Sequence, residues 1–267
     1  MKVAIIGAGG FVGRRIVDRL SDDPDVDALS LVDRAPMPRP ARPASTLHTG
    51  DFSDPGLRAD ALDGADAVIL LASVLGGAAE ADYALARAVN VDATLDLFEY
   101  LRDTAPRTRL VFASTVAVYG GSLPDPVTDA TPFAPRMVYG AQKLMMEVAL
   151  SNFAEKGWLD GMSLRPAGVV ARDGVDAALK SAFISRLFWS VKRGEDITLP
   201  VARHSRTWLS SVDAVAANFI HAAKLRDPAH RALTLPALSL TFGDLVDALL
   251  ARFPDSPARV RFDPDPD

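Results

Sequence analysis

The chain has 267 residues, of which 49% are hydrophobic, enough for one large α/β domain or two small ones with a buried core. Its formal net charge of -5 comes from interleaved acidic and basic residues without a basic block, so nucleic acid is not an expected partner. The longest apolar stretch, residues 67–79, is too short and too rich in glycine to span a membrane. The absence of cysteine excludes disulfides and thiolate metal sites, which fits a cytoplasmic protein. The four scattered histidines show no metal-ligand spacing, so we expect no metal.

Short runs of β-forming residues alternate with helical stretches through the first part of the chain. The predicted strands are residues 3–6, 29–32, 67–71, 110–113 and 161–164, and the predicted helices are residues 11–20, 83–103 and 140–156. Strands that are apolar nearly throughout are typical of a parallel sheet covered by helices on both faces. The sequence therefore predicts an α/β fold, a Rossmann-type doubly wound parallel sheet with a small C-terminal substrate-binding region.

A glycine-rich turn joins the first predicted strand to the first predicted helix. Gly7, Gly10 and Gly13 are spaced G-x-x-G-x-x-G, and Phe11 and Val12 open the helix. Such a turn brings bare backbone, free N–H groups and the positive end of a helix dipole to the pyrophosphate of a dinucleotide. These five residues are therefore candidate cofactor contacts, and the alternative is a strand-to-helix turn that binds no ligand.

Acidic residues follow the second and third strand regions. Asp33 ends the second predicted strand, where a carboxylate accepts hydrogen bonds from the adenosine ribose hydroxyls. Its charge would repel a 2′-phosphate and favours NAD over NADP, although the neighbouring Arg34 would pair with such a phosphate. Asp51 and Phe52 follow the next strand region, where they would meet the adenine amino group and ring or form an ordinary turn.

A tyrosine and a lysine four residues apart are candidates for proton transfer. Tyr139 and Lys143 share one face of the predicted helix, and a cation close to a phenol favours the phenolate that a base requires. The lysine can also bond the nicotinamide ribose. Upstream, Ser114 and Thr115 end a predicted strand at the carboxyl edge of the sheet, where open α/β folds bind ligands. Thr115 would orient and polarise the substrate oxygen, unless these hydroxyls only bond the backbone of a local turn.

Together these motifs resemble an extended short-chain dehydrogenase/reductase of the NAD-dependent epimerase/dehydratase family. The resemblance covers roughly residues 1–225, and its motifs are Gly7-x-x-Gly10-x-x-Gly13, Asp33, Asp51, the segment 114–120 and Tyr139-x-x-x-Lys143. It implies that NAD is the cofactor and that Thr115, Tyr139 and Lys143 are catalytic. It also implies a NAD-binding Rossmann domain at residues 1–164, with a return segment at about residues 207–224.

The same resemblance implies further cofactor contacts. They are Leu71, Ala72 and Ser73 on the nicotinamide side, Asn90, and Pro166, with Tyr139 and Lys143 also touching the cofactor. For both the segment 71–73 and Asn90, the alternative is a purely structural role.

Within this family the chain resembles the D-erythronate dehydrogenase group at residues 80–83, 139–143, 157–161, 181–183 and 232–236. This implies oxidation of a sugar-acid hydroxyl to a ketone, with Arg172 and Arg206 as candidates to clamp the substrate carboxylate or to form surface salt bridges. The expected substrate-binding residues are Ser73, Ser114, Thr115, Tyr139, Arg172 and Arg206. We expect residues 165–206 and 225–267 to form the substrate-binding region. The chain ends earlier than this group predicts, and the three interpretations are a different substrate, truncation of that region and a site that stays open.

Two rival functions share most of these residues. A sugar-nucleotide 4-epimerase or dehydratase returns the hydride within one catalytic cycle, and a NAD-sensing protein has the same fold without chemistry. The expected partner is a small carbohydrate acid. The amphipathic helices at residues 92–102 and 144–154 either pair across a two-fold axis in a homodimer or pack into the core of a monomer.

Overall fold

The computed structural model describes residues 1–121, 123–128, 130–172 and 182–265. These residues contain the strands β1 (Lys2–Ile6), β2 (Ala28–Asp33), β3 (Ala44–Thr49), β4 (Ala67–Leu70), β5 (Arg109–Ala113), β6 (Asp160–Arg165), β7 (Gly168–Val170), β8 (Ile197–Leu199), β9 (Arg206–Ser211), β10 (Ala232–Thr234), β11 (Leu238–Thr241) and β12 (Val260–Phe262). The α-helices are α1 (Phe11–Ser21), α2 (Pro55–Leu62), α3 (Gly76–Ala81), α4 (Tyr83–Arg87), α5 (Ala93–Thr104), α6 (Val138–Glu155), α7 (Ala182–Arg193), α8 (Val212–Lys224) and α9 (Phe242–Arg252). None of the helices in these ranges is both long and apolar enough to cross a membrane.

The chain divides into two compact units. The first consists of Met1–Pro166 and Asp213–Leu235, and the second consists of Ala167–Val212 and Pro236–Asp267. Residues 173–181 of the second unit lie outside the described residues. They include Ser181, the first residue of one of the segments that carry the family resemblance.

The first unit is built on a seven-stranded parallel sheet with the order β10-β6-β5-β4-β1-β2-β3. Successive strands run outward from β1 on one side and from β4 on the other. The carboxyl ends of β1 and β4 therefore flank the point where the strand order reverses, which is where open α/β sheets bind ligands. The prediction of an α/β fold with a Rossmann-type doubly wound parallel sheet is confirmed.

Both faces of the central strands of this sheet are buried. Alternate residues of β1, β4 and β5, such as Ile6, Leu70 and Phe112, pack with α5 and α6 in one apolar cluster. The residues between them, such as Ile5 and Ile69, are also fully buried. A strand covered on both faces has no position for polar side chains, which explains why these segments are apolar throughout.

The predicted helix over residues 83–103 is interrupted. α4 ends at Arg87 and α5 begins at Ala93, and a π-helical turn, Ala88–Asp92, lies between them. A π turn accommodates one extra residue in a helix, and the spacing of apolar residues does not reveal such a local change. The buried Asn90 lies in this turn.

The second unit contains two small sheets. β9 pairs antiparallel with β11 and parallel with β7, and β8 forms a parallel pair with β12. Its core includes Leu187 of α7 together with Leu245 and Leu249 of α9. Most of its strands have only three or four residues, too few for a hydrophobic pattern to predict them.

Candidate active site

The glycine loop after β1 has the close packing that its sequence predicts. Gly7 has a φ of +90°, a conformation that glycine adopts without strain. A Cβ on Gly13 would collide with the carbonyl oxygens of Gly7 and Ala8, so α1 approaches the loop only because this residue has no side chain. α1 begins at Phe11 with Gly10 at its N-cap, and its first turn contains no acidic residue. This bare cradle at a helix N-terminus fits a pyrophosphate.

Asp33 at the end of β2 is bound to the same loop. The N–H of Gly9 donates to Oδ2 of Asp33 at 2.8 Å, and the N–H of Ala35 donates to Oδ1 at 3.1 Å. A Cβ on Gly9 would lie 2.9 Å from the carboxylate, so this contact requires glycine. Sequence reasoning did not identify Gly9 as a site residue. The available signal was that Gly9 and Gly10 are consecutive glycines and that the next strand ends in an acidic residue, Asp33. Arg34 beside Asp33 is exposed.

The two candidates after β3 have different surroundings. Oδ1 of Asp51 accepts a hydrogen bond from the N–H of Ser53 at 2.9 Å, which stabilises a local turn. Phe52 is buried in the apolar cluster of the first unit. Their contacts with an adenine ring stay a prediction.

The loop after β4 is held against β1 and against the π turn. The N–H groups of Leu71 and Ala72 both donate to the carbonyl of Ile6, at 2.9 and 3.0 Å. Further along, the amide of Asn90 bonds both backbone groups of Val74, accepting from its N–H at 2.8 Å and donating to its carbonyl at 2.9 Å. The predicted nicotinamide-side segment, which also contains Ser73, therefore has a defined position at the point where the strand order reverses.

Asn90 also reaches the helix that contains the tyrosine and the lysine. Its Nδ2 donates to Oε1 of Gln142 at 2.9 Å. Both donor hydrogens of Asn90 are thus directed at protein atoms, one at Val74 and one at Gln142. Sequence reasoning did not identify Gln142, because its contact with Asn90 joins residues that are far apart in the chain.

Ser114 and Thr115 follow β5 and differ in exposure. Thr115 is partly exposed and caps the 3-10 turn Val116–Tyr119, since its Oγ1 accepts from the N–H of Ala117 at 3.1 Å. Ser114 is buried, and its hydroxyl finds no hydrogen-bond partner among the described residues. The N–H of Val116 donates to the carbonyl of Pro166 at 3.2 Å, which joins the ends of β5 and β6.

Tyr139 and Lys143 lie in the first two turns of α6. Gly140 lets this helix approach the 3-10 turn, because a Cβ there would lie 2.7 Å from the carbonyl oxygen of Ala117. Lys143 is 1% exposed, and its Nζ lies 4.6 Å from the ring centroid of Phe112 and 5.9 Å from that of Tyr139. Burial lowers the pKa of the Lys143 ammonium to about 7, because the charged form loses its hydration.

The first unit thus brings most of the predicted site residues to one edge of one sheet. The glycine loop follows β1, Asp33 ends β2, residues 71–73 follow β4, Thr115 follows β5 and Pro166 follows β6. Because these strands are parallel neighbours, their carboxyl ends form a common edge. Among the described residues, no group of three or more histidines and carboxylates is placed to hold a metal ion.

The two predicted substrate arginines belong to the second unit. The backbone of Arg172 is held by α7, since its N–H donates to Oγ of Ser185 at 3.1 Å and its carbonyl accepts from Nε1 of Trp189 at 2.9 Å. Arg206 is exposed at the start of β9 and donates from Nη2 to Oγ of Ser239 at 3.1 Å.

Comparisons with known proteins agree with this arrangement. The sequence model of the NAD dependent epimerase/dehydratase family matches residues 3–233. The D-erythronate dehydrogenase of Haemophilus influenzae is 33% identical over 93% of this chain and 81% of its own length. That of Cupriavidus necator is 35% identical, also over 93% of this chain and 81% of its own length. The crystal structure of a nucleoside-diphosphate-sugar epimerase from Agrobacterium tumefaciens is similar at a TM-score of 0.91 and 31% identity, covering 99% of this chain and 82% of that one.

Proposed function

The chain belongs to the NAD dependent epimerase/dehydratase family, and on that premise we propose that it oxidises a secondary hydroxyl of a sugar acid, D-erythronate or a close analogue, to a ketone. It is an enzyme of that family with NAD as its cofactor. The observation that carries the proposed substrate is the identity of 33% and 35% to two D-erythronate dehydrogenases over 93% of the chain.

The residues of the first unit fit the dinucleotide in their chemistry. The loop of Gly7, Gly10 and Gly13 would hold the pyrophosphate at the N-terminus of α1, and Asp33 would accept hydrogen bonds from the adenosine ribose. When bound, the nicotinamide supplies the acceptor for the hydride that leaves the substrate carbon.

In the proposed mechanism, side chains of this chain carry out the proton transfer. Oη of Tyr139 takes the proton of the substrate hydroxyl, and the positive charge of Lys143 favours the phenolate that does so. Oγ1 of Thr115 donates a hydrogen bond to the substrate oxygen and orients it. We further propose that the second unit binds the substrate and that Arg172 and Arg206 bind its carboxylate.

A 4-epimerase acting on a nucleotide sugar is the second candidate function. The epimerase from Agrobacterium tumefaciens, at a TM-score of 0.91 and 31% identity, favours it. The two functions differ in the fate of the hydride, since an epimerase returns it to its substrate and accumulates no NADH.

A substrate panel separates the two candidates. The enzyme is incubated with NAD and, in separate reactions, with sugar acids, uronates and UDP-sugars, while NADH is followed by its absorbance. We expect sustained NADH formation with a four-carbon sugar acid, and a rate at least about tenfold lower with erythritol, the matched polyol that lacks the carboxylate. Conversion of a UDP-sugar to its epimer without net NADH would contradict the proposal.

Cofactor preference depends on Asp33. Replacing Asp33 with serine is expected to shift the ratio of kcat/KM for NAD to that for NADP toward NADP by about tenfold or more, because the charge that repels a 2′-phosphate is lost. Asp33→Asn is the matched control for the bond to Gly9, since an amide oxygen still accepts that N–H while the charge is gone. Asparagine should therefore reproduce the shift, and a ratio equal to that of the parent in both variants would contradict this role.

We also propose that the enzyme is a homodimer that pairs through α6. Met145 and Val148 lie on one side of this helix and are 54% and 61% exposed, an unusual place for large apolar side chains. We expect light scattering to give a particle mass of about twice the 28.4 kDa of one chain. Val148→Glu is expected to give the single-chain mass, and a parent of single-chain mass would contradict the proposal.

A further inference from the structure

Two buried side chains of opposite charge stand four residues apart on α6 without forming an ion pair. Glu147 follows Lys143 by one helical turn, and the two are 3% and 1% exposed. Oppositely charged residues at this spacing are neighbours on a helix, and long helical side chains generally lean toward the N-terminus, which for Glu147 is the direction of Lys143. Nevertheless, the described residues contain no ion pair between them, and Nζ of Lys143 lies over the ring of Phe112.

Arg165 at the end of β6 holds Glu147 instead. Its Nε donates to both carboxylate oxygens at 3.0 Å, and its Nη2 also contacts Oε1. Burial alone would lower the pKa of the Arg165 guanidinium, but the hydrogen bonds and the charge of Glu147 outweigh it and raise that pKa. Arg165 therefore stays charged in this buried position.

Hydroxyl and aromatic groups surround the guanidinium of Arg165. The 3-10 turn contributes Tyr119, whose Oη lies 3.4 Å from Nη1 of Arg165 and 2.8 Å from Oγ1 of Thr234. Phe133 covers the guanidinium, with its ring centroid 4.6 Å from Cζ. Other titratable groups on or against α6 are Tyr139 and Lys143 of the helix itself and Glu80 of α3, whose Oε1 accepts from the N–H of Val138 at 2.6 Å. Phe112 of β5 contacts Lys143, and Asn90 of the π turn contacts Gln142. If Arg165 were lost, Lys143 would be the cation within reach of Glu147.

We propose that Arg165 is a positioning residue, because it holds both oxygens of Glu147 and thereby keeps this carboxylate from pairing with Lys143. The ammonium of Lys143 then stays available to Tyr139 and the nicotinamide ribose. The inference rests on the proposed function only for the role of Lys143. An unpaired carboxylate in the interior is costly, so removal of Arg165 should redirect Glu147 to Lys143 rather than leave it alone.

The test compares one substitution in three backgrounds. Lys143→Met is introduced into the parent, into Arg165→Met and into Glu147→Gln/Arg165→Met, and the melting temperature of each cofactor-free protein is measured between pH 6 and 10. In the parent, the substitution removes a poorly hydrated charge and should raise the melting temperature. In Arg165→Met it should lower the melting temperature, because it removes the new partner of Glu147. In the double variant, where no carboxylate is left to pair, it should raise the melting temperature again.

A reversal of sign in the Arg165→Met background is the expected result, and an equal rise in all three backgrounds would overturn the inference. If Arg165→Met does not fold, Arg165→Lys takes its place, because one ammonium cannot hold both oxygens in the planar geometry of a guanidinium. In that background the rise caused by Lys143→Met should fall to half or less of its size in the parent, and a rise of unchanged size would contradict the inference.

Activity provides a second readout. Arg165→Met should lower kcat by about tenfold or more, and it should raise the pH at which Lys143 loses its proton by about one unit. Glu147→Gln/Arg165→Met should recover most of the lost kcat. Equal kcat losses in the single and double variants would indicate a structural role and overturn the inference. If the parent forms no NADH with any sugar acid, the proposed function fails, and the melting comparison still decides the pairing of Glu147.

Discussion

Replacing Tyr139 with phenylalanine is expected to lower kcat about a thousandfold while the dissociation constant for NAD stays within about twofold. The substitution removes one hydroxyl and keeps the ring that faces Lys143. In the proposed site, the glycine loop and Asp33 bind the dinucleotide, and this change does not touch them. Loss of proton transfer therefore separates from loss of cofactor binding, and NADH formation together with a calorimetric titration of NAD measures both.

Tyr83→Phe is the matched control for this experiment. It removes the same hydroxyl from an α4 residue that is 59% exposed, and kcat should not change. If Tyr139→Phe retains more than about a tenth of the parent kcat, Tyr139 is not the base of this reaction.

Replacing Lys143 with methionine is expected to lower kcat by about two to three orders of magnitude and, at the same time, to stabilise the cofactor-free protein. The activity falls because the phenolate of Tyr139 loses its cation. Stability rises because the pKa of this lysine falls on folding from 10.5 to about 7, so the charged form is destabilised in the native state. The cation–π contact with Phe112 opposes this by about 1–2 kcal/mol. A net gain of roughly 3–4 kcal/mol is expected at pH 6, since one unit of pKa corresponds to about 1.4 kcal/mol and the pKa falls by about 3.5 units.

The sign of the pH dependence follows from proton binding. Between pH 7 and 10.5 the unfolded chain holds a proton on Lys143 that the folded chain has lost, so the stability of the parent rises with pH in this window. The advantage of methionine should accordingly be greatest below pH 7 and should shrink as the pH approaches 10.5. Thermal melting at pH 6, 8 and 10 measures this trend.

Lys156→Met supplies the control, because Lys156 is an exposed lysine at the end of the same helix. It should leave both kcat and the melting temperature unchanged. A lower melting temperature for Lys143→Met than for the parent at every pH would contradict the account of Lys143 as a poorly hydrated cation.

Much of the first unit could be predicted because its signals are local. The glycine loop, the strand before it and the helix after it lie within one short segment, and a strand buried on both faces is apolar at every position. The predicted family and the predicted parallel sheet are both confirmed. The roles of the individual site residues stay predictions until the variants are measured.

Contacts between distant segments could not be predicted from spacing. Gly140 appears in the sequence as one residue of a helix, and only the proximity of the Ala117 carbonyl shows why it has no side chain. Asn90 and Gln142 are 52 residues apart, and Glu147 and Arg165 are separated by a helix end and a strand, so neither pair follows any helical or strand period. The short strands of the second unit escaped prediction for a different reason, since segments of three or four residues do not establish a period.

The central claim is that the substrate hydride leaves the sugar acid for NAD while Tyr139 takes the hydroxyl proton. Its most direct test uses D-erythronate with deuterium at its hydroxyl-bearing carbons, incubated with NAD and the enzyme until NADH accumulates. We expect mass spectrometry to find one deuterium in the reduced dinucleotide for each molecule of ketone formed. Absence of deuterium from the dinucleotide, with the label still in the carbohydrate after turnover, would contradict the account.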